Sequence, residues 1–116
     1  MGLKELYAER KPVVERVNLP ADAGEWFVRE LDAAELTRFH VRYDALKAKG
    51  KELLWFVCLA ACEPDGTRVF EDADLEGVLL KVPGWIVTEV WAAGGKLNRL
   101  TKGSQEELEK NSEATP

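Results

Sequence analysis

A chain of 116 residues with a formal net charge of −5 is long enough to bury one core and too short for two. Its 46% hydrophobic and 32% charged residues give the balance of a soluble globular domain. The acidic excess, with Lys and Arg scattered, argues against a phosphate-tracking nucleic-acid binder. The longest apolar run, residues 53–62, is about half a membrane span, and Lys4 and Glu5 interrupt any signal-peptide core, so a cytosolic chain is expected.

Leu3, Leu6 and Tyr7 share one face of a short helix that must stop before Pro12. Residues 13–19 are rich in valine and read as a strand. Residues 20–24 (PADAG) read as a turn and residues 25–31 as a returning strand, predicting a β-hairpin over about residues 13–31. Two strands are marginal in water, so this hairpin is expected to lie on helices. Asp32 and Glu35 have capping-box spacing, and Leu36, Phe39, Tyr43 and Leu46 recur every 3.6 residues. Together they predict a helix over about residues 33–48, ended by Gly50.

Residues 53–62 (LLWFVCLAAC) are apolar on every side, and their Leu and Ala content favours a buried central helix over a strand. The passage CEPDGTRVFEDAD, residues 62–74, follows. In it Pro64, Asp65 and Gly66 form a tight turn: Pro64 presets its φ, Asp65 can bond its own backbone, and Gly66 accepts a positive φ. Phe70 then serves as an aromatic plug, and Asp72 or its neighbour stands where a helix N-cap belongs. The whole reads as a helix–turn–helix corner. Ala73, Leu75, Val78, Leu79 and Val82 predict a third long helix, stopped by Pro83-Gly84. Ile86, Val90, Ala93, Leu97 and Leu100 predict a fourth over residues 85–100. Within it Gly94-Gly95 marks a kink or a close helix approach. The fold class is therefore mainly α, about four to five helices with an N-terminal β-hairpin packed on them. Residues 1–103 form one globular domain, and residues 104–116 an acidic short helix and flexible polar tail.

Catalytic constellations are hard to assemble. His40 is the one histidine, and serine occurs only at Ser104 and Ser112, so a Ser/His/Asp system would rest on the tail. Cys58 and Cys62 would share a helix face, but with His40 they supply three zinc ligands and no fourth, and small apolar packing explains them. The acids Glu63, Asp65, Glu71, Asp72, Asp74 and Glu76 fail as a calcium loop: Gly66 comes too early, and Arg68, Val69 and Phe70 occupy ligand positions. Gly94-Gly95-Lys96 fails as a phosphate loop on spacing. No enzyme, cofactor or metal is expected. Of the four tryptophans, Trp55 belongs to the core. Trp26, Trp85 and Trp91 are either core filling or partner-binding residues, since tryptophan is enriched at interface hot spots.

Four passages, in order, resemble the tail assembly chaperones of long-tailed (siphovirus-type) bacteriophages. They are WFVRELDAAE at 26–35, the corner at 62–74, LNRL at 97–100, and the acidic EELEKNS at 106–112. Trp85 and Gly94-Gly95 depart from the family pattern. The resemblance implies a mainly helical, non-virion assembly factor in the host bacterial cytoplasm. Such a factor binds the tape measure protein, keeps its hydrophobic helices soluble, and recruits the major tail protein. Self-association is compatible with that role. It also implies a longer product made by programmed −1 frameshifting. Glu109-Lys110-Asn111 can be encoded GAA-AAA-AAC, which contains the slippery heptamer A-AAA-AAC. The competing reading is a small cytosolic protein-interaction or adaptor domain without a phage role.

Overall fold

The structure, a computed structural model, describes residues 2–100. Among them are four α-helices: α1 (Leu3–Glu9), α2 (Ala33–Ala48), α3 (Glu52–Ala60) and α4 (Gly84–Leu97). Three short strands, β1 (Val14–Arg16), β2 (Phe27–Arg29) and β3 (Ala61–Cys62), form an antiparallel sheet in the order β1-β2-β3. The fold is mainly α with minor β.

The predicted hairpin is present, with Val14 opposite Arg29 and Arg16 opposite Phe27. A 3₁₀ turn, Ala21–Ala23, carries its loop, and Gly24 at φ 84° brings the chain back. Its third strand was not foreseen. The central helix ends at Ala60 rather than Cys62, because the chain turns extended at Ala61 and pairs Val28 with Ala61 and Phe27 with Cys62. Cys58 and Cys62 therefore do not share a helix face. A fully apolar run carries no periodicity to separate a helix from a buried strand, so this boundary was invisible to pattern reading.

Helix α2 has the predicted bounds, and its capping box forms: Asp32 Oδ1 accepts from the Glu35 N–H at 2.8 Å, and Glu35 Oε1 from the Asp32 N–H at 3.2 Å. Helix α3 is the centre of the core. Trp55, Phe56, Val57, Cys58, Leu59 and Ala60 are all buried, which requires neighbours on every side. The rings of Phe39 on α2 and Trp91 on α4 meet Phe56 edge to face, at centroid distances of 5.8 and 4.8 Å.

The third predicted helix is not α-helical. Two 3₁₀ segments, Asp72–Glu76 and Val78–Lys81, meet at Gly77, whose φ and ψ of −128° and −112° lie outside the helical region. The break still buries Leu75 and Leu79, while Val78 is half exposed. Gly77 and Pro83 lie only six residues apart, too little chain between breakers for a stable α-helix.

Helix α4 stops at Leu97, three residues short of the predicted end. Asn98 caps it, and Arg99 adopts φ 59°, the left-handed conformation that a helix terminus ordinarily assigns to glycine. Arg99→Gly is expected to raise stability by about 1 kcal/mol, read as a higher urea midpoint at unchanged m-value. At Gly94 the close approach is realised. A Cβ there would stand 2.7 Å from Cε1 of Phe56 and 3.4 Å from Cγ1 of Val28.

Candidate functional site

The buried C-terminal end of α3 poses the main electrostatic problem of this fold. The last carbonyls of a helix lack intrahelical partners, and they carry the negative end of its dipole. Val57 O is taken by the Ala61 N–H. The next two carbonyls are taken by arginines. Arg68 Nε donates to Cys58 O at 2.8 Å, and Arg29 Nη2 donates to Leu59 O at 2.9 Å. Each arginine also holds a carboxylate. Arg29 pairs with Glu35 of the capping box, and Arg68 Nη2 donates to Asp72 Oδ1 at 2.7 Å. Asp72 Oδ2 in turn accepts from Arg38 of α2 at 2.6 Å, so one carboxylate ties the corner to α2.

This arrangement corrects the reading of the corner. Residues 61–70 form a hairpin, not a helix–turn–helix. The Gly66 N–H reaches Glu63 O at 2.8 Å, the Glu63 N–H reaches Thr67 O at 2.8 Å, and Cys62 bridges Arg68. Pro64 and Asp65 occupy the turn, Asp65 Oδ1 accepts from the Thr67 N–H at 2.9 Å, and Gly66 takes φ 91°. A turn closed by a positive-φ glycine is the three-residue hairpin loop. Phe70 is half-buried and packs on the core, its ring 5.9 Å from that of Trp26. Glu71, Asp72's neighbour, takes the N-cap position, and its N–H donates to Asp74 Oδ2 at 2.8 Å. Asp72 is the ion-pair partner instead. Arg68, the hub of the corner, was treated on sequence only as a residue out of place in a calcium loop. Its signal was a cation four residues before Asp72 on a chain segment returning past a buried helix end.

The three candidate tryptophans separate. Trp26 is half-buried and donates through Nε1 to Ala23 O at 2.9 Å, which locks the hairpin loop. Trp91 is half-buried against Phe56. Trp85 is 51% exposed, and the half-exposed Leu80 and Val78 precede it by five and seven residues. Only Trp85 has the exposure of a free contact residue. Glu109, Lys110 and Asn111 lie outside the described residues.

His40 is exposed on α2, whereas both thiols are buried. Burial pushes the Cys58 thiol up, against the opposing hydrogen bond from Arg68, and burial also pushes Cys62 up. Both thiols are expected to react with an aromatic disulfide reagent far more slowly than in urea-unfolded chain, in a timed absorbance assay. Rapid reaction of either in the folded protein would contradict their placement.

On the far side of the Arg29–Glu35 pair, α1 presents an exposed apolar face among the described residues. Helix α1 buries no residue, and Leu3, Leu6 and Tyr7 are 75%, 46% and 63% exposed. Its base is tied down by Glu30, which pairs with Arg10 at 2.9 Å and accepts from the Val13 N–H at 2.9 Å. Between Tyr7 and the start of α2 runs a groove of about 580 Å³, lined by the apolar Pro12, Leu31 and Ala33 and by the charged Arg10, Arg29, Glu30, Asp32 and Glu35. A groove of mixed apolar and charged lining with an exposed apolar helix beside it can hold an amphipathic helix laid along it. No helix among the described residues is long and apolar enough to cross a membrane. Compared with protein-family models, with curated proteins and with solved structures, the chain matches none of them.

Proposed function

We propose that this chain is a non-enzymatic assembly chaperone of the phage-tail type, which holds the hydrophobic helices of a tape measure protein and brings in the major tail protein. The observation that supports the reading best is α1. A seven-residue helix that buries nothing is too short to persist alone in water, so its apolar face is suited to a partner. That partner lies outside the chain's own described core. The groove beside Tyr7 extends the same surface, and Trp85 offers a second contact point. The resemblance of the ordered passages at 26–35, 62–74, 97–100 and 106–112 to tail assembly chaperones supports this reading of the family and, with it, the choice of partner.

Self-association along a long client fits the same surfaces. A discrete one-to-one complex with a short partner would favour the adaptor reading instead. The test is co-expression with a tape measure protein encoded beside the gene. Wild-type chain is expected to keep that protein in the soluble fraction at many copies per client, measured by light scattering. Leu3→Asp with Leu6→Asp is expected to abolish the effect while leaving the circular dichroism unchanged. A client that stays insoluble with wild-type chain sinks the chaperone reading. A double variant as active as wild type removes α1 from it. The longer product is tested on the coding sequence: no slippery heptamer at Glu109-Lys110-Asn111 removes the frameshift.

A further inference from the structure

The outward face of α2 carries a second surface, chemically unlike the first. Val41 is 77% exposed, and beside it lies a trough of about 250 Å³ lined by Thr37, Arg38, Val41, Arg42, Trp55 and Asp72. The guanidinium of Arg42 lies over the Trp55 ring, 4.5 Å from its centre. Arg38 is already engaged with Asp72, but none of the ion pairs among the described residues includes Arg42. A guanidinium lying over an aromatic ring is partly preorganised, so less side-chain entropy is lost when a carboxylate joins it. Lys49, the C-cap residue of α2, follows Arg42 by seven residues, which places it near the same row, about 10 Å further along. On a chain of net charge −5, this row is a local basic edge beside an exposed apolar residue, with Glu76 a nearby carboxylate whose charge feels both Arg42 and Lys49.

We infer that the outward face of α2 docks an acidic amphipathic helix, with carboxylates set against Arg42 and Lys49 and an apolar side chain packed on Val41. Charge complementarity selects this occupant. A purely apolar helix would leave Arg42 desolvated without a partner, and a nucleic acid needs a longer basic stripe than Arg42 and Lys49 supply. The inference rests on the chaperone reading only for the helical form of the partner.

The test uses the full chain and two labelled synthetic peptides. Both are amphipathic helices with Leu at i, i+3, i+4 and i+7, one flanked by Glu and the other by Lys. Fluorescence anisotropy is expected to show the acidic peptide binding at least about tenfold tighter than the basic one, with affinity falling as salt rises. Arg42→Glu is expected to weaken the acidic peptide by about tenfold or more, and Val41→Asp by several-fold. Arg16→Glu, a charge reversal on β1, is expected to leave it unchanged. Val41 is so exposed that its substitution keeps the test usable if Arg42→Glu fails to fold. Equal binding of the two peptides, no binding of the acidic one, or indifference to both α2 variants overturns the proposal. Binding that emerges only when Glu106, Glu107 and Glu109 are all changed to Gln makes the chain's own acidic segment the occupant, and also overturns it. If Arg42→Glu chain still keeps a long helical client soluble while losing no peptide affinity, this surface falls and the chaperone reading stands.

Discussion

Gly94→Ala is expected to lower the stability of this chain by about 2 kcal/mol, although alanine is the better helix former by about 1 kcal/mol. The reason is steric. The new methyl would sit 2.7 Å from Cε1 and 3.1 Å from Cζ of Phe56, inside any normal carbon contact. Phe56 is fully buried, and the edge-to-face rings of Phe39 and Trp91 close off its retreat. The strain of displacing a packed ring exceeds the propensity gain, which decides the sign. Gly84, the first residue of α4, has nothing within 4 Å of a Cβ, so Gly84→Ala is the control and is expected to be neutral or slightly stabilising. Urea unfolding of both variants checks the contrast. A thermodynamic cycle sharpens it: in a Phe56→Leu background the penalty of Gly94→Ala is expected to shrink by about 1 kcal/mol or more, because the clashing ring is gone. Additive effects would show that Phe56 is not the obstacle.

Arg68→Met is expected to cost about 2 to 3 kcal/mol, more than a surface ion pair could supply. The side chain bridges three groups at once: Cys58 O, Cys58 Sγ at 3.2 Å, and Asp72. Methionine keeps much of the apolar stem but leaves the Cys58 carbonyl without its donor at a buried helix end. The same variant changes the acid limb of stability. The Arg68 hydrogen bond holds the Asp72 carboxyl below its ordinary 3.8, with partial burial opposing and Arg38 adding to the effect. A carboxyl depressed by folding stabilises the native state fully above its unfolded value, and that contribution is lost as pH falls through the folded one. Wild-type chain is therefore expected to lose stability on acidification from about pH 4 downward, and Arg68→Met to lose less over that window. Parallel acid profiles for the two proteins would separate Asp72 from this linkage.

The two arginines on the α3 carbonyls show why part of this molecule was legible in its residues and part was not. Helix α2 could be read closely, since its apolar period, its Asp32–Glu35 box and Gly50 are all local signals that tertiary contacts did not override. The hairpin strands were legible for the same reason. The end of α3 was not, because an all-apolar run holds no periodic contrast, and β3 exists only through pairing with a strand more than thirty residues away. The third helix failed on Gly77, a single residue whose backbone divides two turns. On the surface, exposed and buried tryptophans look alike in sequence, and neither the α1 groove nor the stacked Arg42 could be located without neighbours.

By itself the sequence determined a mainly α chain, its apolar centre at residues 53–62, the α2 helix, the first hairpin and the turn chemistry of Pro64, Asp65 and Gly66. These features depend on interactions within a few residues. Tertiary structure alone decided that Ala61–Cys62 is a strand, that Arg29 and Arg68 satisfy the end of α3, and that Asp72 ties α2 to the corner. It also decided that, among the described residues, α1 buries none of its side chains. The physical reason is common to all four: each depends on what lies across the fold from a residue, and a one-dimensional pattern records only what lies beside it.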